Sequence, residues 1–362
     1  MEPRVYNFSP GPAVLPLKVL EEAQRDLVSL PGIGISALEI SHRSPWFEGV
    51  LAETETNLRK LLSIPENYRV LFLQGGSRLQ FSMVPMNFLR GSGRSADYVV
   101  TGTWGKKALE EAVREGSAQT AYNGKPTNFD RLPKAEELKL DPQAAYVHFT
   151  SNETIQGVQF LTEPATGDVP LVCDASSDFL CRPLPIERYG LIYACAQKNA
   201  GPAGVTVVIV RDDLLARIPD GLPSMLDYRT YVDEKLMPNT PPVFAIYIVM
   251  LVTRWLLNDV GGLEQMLERN RRKARLLYDV VDEFPNFYRG HAQPESRSLM
   301  NVTFRLPDDD AQARFLSSAK SRGLAELKGH RSVGGIRASI YNAMPTEGVE
   351  LLAEFMREFA KP

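Results

Sequence analysis

Short, continuously apolar runs limit the folds open to this chain more than any other feature of its sequence. They are rich in β-branched and aromatic residues, and polar or helix-like stretches separate them. The runs lie at residues 70–73, 98–100, 145–149, 170–173, 191–194 and 205–210. A strand with one covered face alternates apolar and polar residues, whereas a strand covered on both faces is apolar throughout. The runs therefore predict a mostly parallel sheet wrapped by helices, which is an α/β architecture.

Helical patterns occupy the stretches between and after these runs. They lie at residues 19–28, 47–62, after Trp104, and at 244–257, 263–284, 310–322 and 348–359, with further strands at 300–305 and 336–341. The run at 244–257 is too short to span a bilayer and contains Arg254, so it predicts a buried helix. A chain of 362 residues is long enough for two domains. We expect a large domain at 16–262, and a smaller α+β domain at 263–362 that the N-terminal segment 1–15 joins.

Charge and cysteine content narrow the class of function. The 41 Lys and Arg nearly balance the 44 Asp and Glu, which argues against a nucleic-acid or membrane-surface partner. The three cysteines have neither metal-ligand spacing nor a disulfide framework, and none of the four histidines has a zinc-like pattern. The N-terminus lacks a secretory signal pattern. We expect a soluble cytoplasmic protein with small-molecule partners and no metal.

Two consecutive apolar runs end in residues that carry chemistry. Asp174 follows the run at 170–173, and Lys198 follows the run at 191–194. Ligands of an open parallel sheet bind beyond the carboxyl ends of its strands, so we expect both side chains at one edge. Pyridoxal phosphate (PLP) chemistry needs this pair, since a lysine amine binds the cofactor and moves the substrate proton, and a carboxylate holds the ring nitrogen protonated. The alternatives are a helix-capping Asp and a solvated Lys.

Weaker signals lie at other strand ends. The turn at 74–78 contains two glycines followed by Ser77 and Arg78, and could direct backbone N–H groups at a phosphate. It lacks the Lys-Ser/Thr ending of a nucleotide phosphate loop and the dinucleotide spacing, and a plain strand-to-helix turn is the alternative. Trp104 could stack on a cofactor ring or belong to the core. Thr154 could place a hydroxyl on the cofactor or form part of a turn.

A set of basic residues could bind anionic substrates. These residues are His42, Arg43, His330, Arg331 and Arg337. The planar guanidinium of arginine donates two parallel hydrogen bonds to a carboxylate or phosphate, which suits doubly anionic amino acids. The alternative for any one of them is surface charge.

Motifs distributed along the whole chain resemble those of the phosphoserine aminotransferases, a family of PLP-dependent enzymes of fold type I within the class-V aminotransferases. The motifs lie at residues 7–12, 40–44, 72–76, 150–154, 196–199, 239–242 and 328–337. The resemblance implies a large PLP-binding domain and a smaller C-terminal domain. It also implies a homodimer, with active sites shared between the subunits.

The resemblance assigns roles residue by residue. It implies that Lys198 forms the Schiff base with PLP, that Asp174 pairs with the pyridinium nitrogen, and that Trp104 stacks on the ring. The other cofactor-binding residues would be Ser77, Arg78, Thr154 and Gln197, with Asn239 and Thr240 from the neighbouring subunit. Ser9 and Arg43 would bind glutamate. The residues expected to hold substrate carboxylate or phosphate are His42, His330, Arg331 and Arg337.

The implied reaction is reversible amino transfer from glutamate to 3-phosphohydroxypyruvate, giving phosphoserine and 2-oxoglutarate in serine biosynthesis. Some family members also act in pyridoxine biosynthesis through 4-phosphohydroxythreonine. Two features depart from the family pattern, namely Pro10, where alanine is commoner, and the segment 233–238. Two other functions stay open: a PLP aminotransferase for another amino acid, such as serine with glyoxylate, and a cofactor-binding protein without turnover.

Overall fold

A seven-stranded sheet forms the centre of the molecule, which we describe from a computed structural model over residues 4–361. The strands are β1 (Tyr6–Asn7), β2 (Tyr68–Gln74), β3 (Ser95–Val100), β4 (Ser117–Asn123), β5 (Val147–Thr150), β6 (Asn152–Glu153), β7 (Val158–Gln159), β8 (Leu171–Asp174), β9 (Tyr189–Cys195), β10 (Val205–Arg211), β11 (Arg289–Gly290), β12 (Asn301–Arg305), β13 (Leu324–Ala325) and β14 (Ile336–Ser339). The order in the central sheet is β2-β10-β9-β8-β5-β3-β4. Strand β10 runs antiparallel to both of its neighbours, β2 and β9, and the other neighbouring pairs of this sheet are parallel. The predicted α/β class with a mostly parallel sheet is confirmed.

Helices cover both faces of this sheet. They are α1 (Leu17–Val28), α2 (Pro45–Leu62), α3 (Ser77–Phe88), α4 (Thr103–Ala112), α5 (Asp212–Leu215), α6 (Tyr228–Asp233), α7 (Val243–Trp255), α8 (Leu263–Glu283), α9 (Asp309–Ser321) and α10 (Thr346–Phe359). Local sequence explains where several of them begin. For example, the Ser44 hydroxyl accepts a hydrogen bond from the Phe47 amide, and Pro45 occupies the first turn of α2.

The apolar helix α7 lies in the core, as its composition predicts. It packs against α1 and α2, and every residue from Ala245 to Thr253 is buried. The stretch Val243–Val260 is long and apolar enough to cross a membrane, but 56% of it is buried inside the protein. A helix that is apolar on all sides is typical of such a buried position.

A second, smaller sheet forms near the C-terminus. Strands β11, β12 and β14 are antiparallel, and α8, α9 and α10 pack around an aromatic cluster that includes Phe304, Phe315 and Phe355. The N-terminal strand β1 pairs with β13, and Phe8 is fully buried in the same cluster. The beginning of the chain therefore packs on its C-terminal part.

The structure differs from the sequence-based expectation at three strands of the central sheet. Within residues 4–361, strand β4 pairs only with β3 and is an edge strand. Its sequence, Ser-Ala-Gln-Thr-Ala-Tyr-Asn, is polar and lacks the apolar character used to predict strands. The antiparallel direction of β10 could not be predicted from the sequence, because β10 is as apolar as the parallel strands of the sheet. The predicted run at 145–149 becomes a strand only from Val147.

Candidate active site

A cavity of about 310 Å³ opens where β2, β3, β5, β8 and β9 end. Its volume is at the lower end of the range for small-molecule sites. The predicted site residues that line it are Ser77, Arg78, Trp104, Thr154, Asp174, Gln197, Lys198, His330 and Arg337. Residues from both ends of the chain and from five strand ends thus meet at one edge of the sheet, as expected for an open parallel sheet.

Lys198 lies in the loop after β9, with its amine held on one side of the cavity. Its Nζ donates to Thr154 Oγ1 at 2.8 Å and lies 5.9 Å from the centre of the Trp104 ring. The N-terminal segment folds over this loop, since a Cβ added to Gly11 would lie 3.4 Å from Lys198 Cγ. The backbone N–H of Ala13 also donates to the carbonyl oxygen of Gln197 at 2.8 Å.

Asp174 ends β8 and is 4% exposed. Its Oδ1 accepts hydrogen bonds from both the backbone N–H, at 3.0 Å, and the hydroxyl of Ser176. Burial raises the pKa of Asp174, while the Ser176 hydrogen bonds and the charge of Lys198 lower it, and the net direction is upward. Because Oδ1 is already engaged, Oδ2 is the oxygen left to accept a proton donor such as a protonated ring nitrogen.

The start of α3 forms another wall of the cavity. Gly76 is its N-cap and supplies no side-chain cap, which leaves first-turn N–H groups for an anion. The Ser77 hydroxyl accepts from the backbone N–H of Cys195 at 3.1 Å and lies 2.5 Å from the Ser176 hydroxyl. A chain of hydrogen bonds thus connects Ser77, at the start of α3, through Ser176 to Asp174.

Unpartnered polar atoms on the cavity residues fit a polar ligand. Within residues 4–361, the buried atoms Trp104 Nε1, Thr150 Oγ1, Gln197 Oε1 and Arg337 Nε have no hydrogen-bond partner. Buried polar groups are nearly always hydrogen-bonded, so a bound molecule is the simplest explanation for several such atoms around one cavity. The residues present fit PLP, since the cavity is lined by an amine, a carboxylate, an indole and a helix N-terminus that could bind the phosphate.

Arg337 brings a buried guanidinium to the wall of the cavity. It lies on β14, is 7% exposed, and forms no ion pair with any residue between 4 and 361. Burial lowers the pKa of Arg337 from its ordinary value. The pKa of His330 is lowered too, first by burial and then by the nearby charges of Arg337 and Arg331. A buried guanidinium without a carboxylate favours binding of an anion.

Six predicted site residues do not line this cavity: Ser9, His42, Arg43, Asn239, Thr240 and Arg331. Ser9 directly precedes Pro10 and Gly11, which do line it. Asn239 donates from Nδ2 to Gln74 Oε1 at 2.8 Å, just before the glycine turn. Arg43 and Thr240 are exposed.

Sequence reasoning missed two residues that touch the predicted ones. Ser176 bonds Asp174, and its position two residues after a strand-end Asp was an available signal. Glu153 is fully buried, and its carboxylate accepts from the backbone N–H groups of Trp104 and Gly105. Burial raises the pKa of Glu153 to about 7. No local sequence pattern predicts this contact, because it joins segments almost fifty residues apart.

Comparison with known proteins agrees with this geometry. Residues 5–352 match the family model described as aminotransferase class-V. The phosphoserine aminotransferase of Rhodopirellula baltica is 56% identical over 99% of this chain and 95% of that relative. The solved phosphoserine aminotransferase of Bacillus circulans subsp. alkalophilus superposes with a TM-score of 0.96 at 50% identity, covering 99% of this chain and 98% of the other. The PLP-bound phosphoserine aminotransferase of Trichomonas vaginalis gives a TM-score of 0.93 at 42% identity, over 98% of this chain and all of that one.

Proposed function

This chain belongs to the class-V aminotransferases, and we propose from that premise that it acts as a phosphoserine aminotransferase using PLP. It transfers an amino group reversibly from glutamate to 3-phosphohydroxypyruvate, giving phosphoserine and 2-oxoglutarate in serine biosynthesis. The observation that carries the proposal is one cavity lined by the amine of Lys198, the carboxylate of Asp174 and the guanidinium of Arg337, which has no acidic partner among residues 4–361.

Each residue of the proposed active site has a distinct role in amino transfer. Lys198 would hold PLP through its Nζ, and the same amine would take the proton from the substrate Cα. When bound, PLP supplies a ring that accepts the electron pair left on that carbon. Asp174 Oδ2 would hold the proton on the ring nitrogen and Trp104 would cover the ring, while Thr154 orients the amine of Lys198. The remaining cofactor contacts are Ser77, Arg78, Gln197, Asn239 and Thr240.

Anion recognition selects the substrate. Arg337 and His330 line the cavity, and a second cavity of about 310 Å³ shares both of them and adds Arg289 and Arg305. This positive surface supports a substrate with two anionic groups rather than serine. We assign the glutamate carboxylate to Ser9 and Arg43, and the other substrate anions to His42, His330, Arg331 and Arg337. The substrate 4-phosphohydroxythreonine has the same anionic groups, so a role in pyridoxine biosynthesis belongs to the proposal.

A homodimer with shared active sites completes the proposal. His42, Arg43, Asn239 and Thr240 do not line the cavity of their own chain, which supports their action in the site of a partner copy. The large apolar side chains of Ile33, Ile35 and Leu38, just before His42, are exposed. Exposed apolar clusters of this kind mark surfaces that another protein covers.

Domain organisation and location follow from the same features. We assign residues 16–262 to the PLP-binding domain and residues 263–362, with 1–15, to the small domain. Pairing of β1 with β13 supports the place of the N-terminal segment. The free thiols of Cys173, Cys181 and Cys195 support a cytoplasmic location.

Visible absorption spectroscopy of the purified protein tests the function. We expect a band from lysine-bound PLP that glutamate removes and 3-phosphohydroxypyruvate restores. Lys198→Ala is the control, and it should lack the lysine-linked band and turnover. A band that glutamate leaves unchanged, or a faster reaction with serine than with phosphoserine, would contradict the substrate assignment. Absence of any band after adding PLP would contradict the cofactor role of Lys198.

A further inference from the structure

Helix α4, which presents Trp104 to the cavity, has no side-chain cap of its own. Its N-cap is Gly102, which has no side chain to accept hydrogen bonds from the first turn. The first N–H groups of a helix need acceptors, and a buried end without them is destabilising. In this protein the acceptors come from another segment, the turn at residues 153–156, which begins at the last residue of β6 and leads to β7.

That turn satisfies three successive N–H groups of α4. Glu153 Oε2 accepts from Trp104 N at 2.9 Å, and Oε1 accepts from Gly105 N at 2.8 Å. Gln156 Oε1 accepts from Thr103 N at 3.3 Å, and Gln156 Nε2 donates to the Thr103 hydroxyl at 2.8 Å. The negative carboxylate also lies at the positive end of the helix dipole.

The carboxyl group of Glu153 lies in close contact with the backbone at the start of α4. A Cβ added to Gly102 would lie 2.4 Å from Glu153 Cδ, a distance that atoms cannot adopt without displacement. A Cβ at Gly105 would lie 3.3 Å from Oε1. Gly102 has extended backbone, so its lack of a side chain is explained by this close approach and not by an unusual φ.

The same turn also holds the catalytic amine. Thr154, the residue after Glu153, accepts a hydrogen bond from Lys198 Nζ at 2.8 Å. Trp104 is therefore hydrogen-bonded to Glu153 and Lys198 to Thr154, two adjacent residues of one turn. The position of the indole relative to the amine depends on that turn.

We propose that Glu153 is a positioning residue that holds the Trp104 indole at its stacking distance from the cofactor, an inference that rests on the proposed function. The pKa of Glu153 supports a link to the site, since the charges of Asp174 and Lys198 both act on it besides burial and the two N–H donors. A cap with a purely structural role would stabilise α4 without changing how Trp104 contacts PLP.

A double-mutant cycle between Glu153 and Trp104 distinguishes these roles. The full-length protein loaded with PLP is dialysed against a series of PLP concentrations to obtain the dissociation constant. Trp104→Ala should raise that constant by about 3- to 10-fold, the scale of one aromatic stack. Glu153→Gln should raise the PLP dissociation constant by a similar factor. The NH2 group of the carboxamide would face a backbone N–H group of α4, and two donors cannot form a hydrogen bond. In the Trp104→Ala background, Glu153→Gln should have no further effect.

Two further variants distinguish the positioning role of Glu153 from a general loss of folding. Gly102→Ala keeps the carboxylate but displaces it, and it should weaken PLP binding in the same way. Glu163→Gln is the matched control: Glu163 is also buried, yet it pairs with Arg182 at 3.1 Å and accepts from Tyr189 at 2.7 Å, with no hydrogen bond to α4. Glu163→Gln should lower the thermal midpoint and leave the PLP dissociation constant unchanged.

The outcomes separate this inference from the proposed function. If wild-type protein binds PLP and the effects of Glu153→Gln and Trp104→Ala multiply, Glu153 acts independently of Trp104 and the positioning role is overturned. A Glu153→Gln variant that binds PLP as tightly as wild type would overturn it as well. If wild-type protein does not bind PLP at all, both the inference and the proposed function fail.

Discussion

The position of Asp174 at a strand end could be predicted from the sequence, but its hydrogen bonds could not. Its place after an apolar run predicts that it reaches the sheet edge, and it lies there, 4% exposed. The sequence does not reveal that Ser176 donates to Oδ1 from both its backbone N–H and its hydroxyl. These hydrogen bonds stabilise the carboxylate in a buried place that otherwise disfavours its charge.

Removal of the Ser176 hydroxyl should raise the pKa of Asp174 further. Burial already raises this pKa and the Ser176 hydrogen bonds oppose the increase, so Ser176→Ala removes a lowering influence. Asp174 then needs a higher pH to ionise, and the acid limb of the pH profile for the glutamate half-reaction should move to higher pH. Stopped-flow absorption measures this rate at each pH.

Ser177→Ala is the control for that measurement. Ser177 is also buried, but its hydroxyl donates to the carbonyl oxygen of Asn152. Its removal should leave the acid limb in place. An unmoved limb in Ser176→Ala would contradict the influence of this hydroxyl on Asp174.

Residues that act through strand ends could be predicted, and those that act through distant contacts could not. Lys198, Asp174 and Thr154 each follow an apolar run, and all three line the cavity. Glu153 also follows such a run, but its partners are the amides of Trp104 and Gly105, which only the folded chain brings near. The composition of a segment carries no information on such a contact.

At the scale of elements, the β6–β7 hairpin connects the cavity to the C-terminal sheet. Gly157 lies in its turn at φ +70°, and the Thr303 hydroxyl of β12 donates to the neighbouring carbonyl oxygen of Gln156 at 2.9 Å. The backbone N–H of Ser298 donates to the Gly157 carbonyl oxygen at 3.0 Å. The hairpin is too short and too polar to be predicted as strands, and tertiary contacts determine its position.

Gly157→Ala should destabilise the protein more than an ordinary substitution at positive φ. A Cβ there would lie 2.6 Å from Thr303 Oγ1 and 2.7 Å from the carbonyl oxygen of Asn301. Gly167 is the matched control, because it has φ +59° and no atom within 4 Å of an added Cβ. Gly167→Ala should cost only the left-handed penalty of about 1 to 2 kcal/mol, and Gly157→Ala should cost more. Urea unfolding midpoints compare them, and equal midpoints would contradict the close approach.

At the scale of the whole molecule, Lys273 joins α8 to the segment between β14 and α10. The buried Nζ donates to the carbonyl oxygens of Ile340, Tyr341, Asn342 and Met344 at 2.6 to 3.4 Å. The Asn342 backbone N–H in turn donates at 2.9 Å to Asn199, the residue after Lys198. The amphipathic pattern predicts helix α8, but not that one of its lysines is buried.

Lys273→Met should destabilise the protein, and more so at alkaline pH. Burial lowers the pKa of Lys273 to about 7 from 10.5. Between these values the unfolded chain binds more protons than the folded one, so the contribution of Lys273 to stability rises with pH across this window. The difference between wild type and Lys273→Met in urea unfolding should therefore grow from pH 7 to pH 9.5, by at most about 1.4 kcal/mol per pH unit. A constant difference would contradict the lowered pKa.

The proposed sharing of the active sites between two copies leads to a test with mixed variants. In a hybrid of one Lys198→Ala chain and one Arg43→Ala chain, a shared arrangement leaves one site with both residues intact and the other with neither. Each variant alone should be nearly inactive, and the isolated hybrid should recover about half of the wild-type rate per dimer. The matched control pairs Lys198→Ala with Arg337→Ala. Both of these residues line the cavity of the same chain, so neither site of that hybrid is complete and no activity should return. Recovery in the control hybrid alone, or in neither, would mean that Arg43 does not act across the interface.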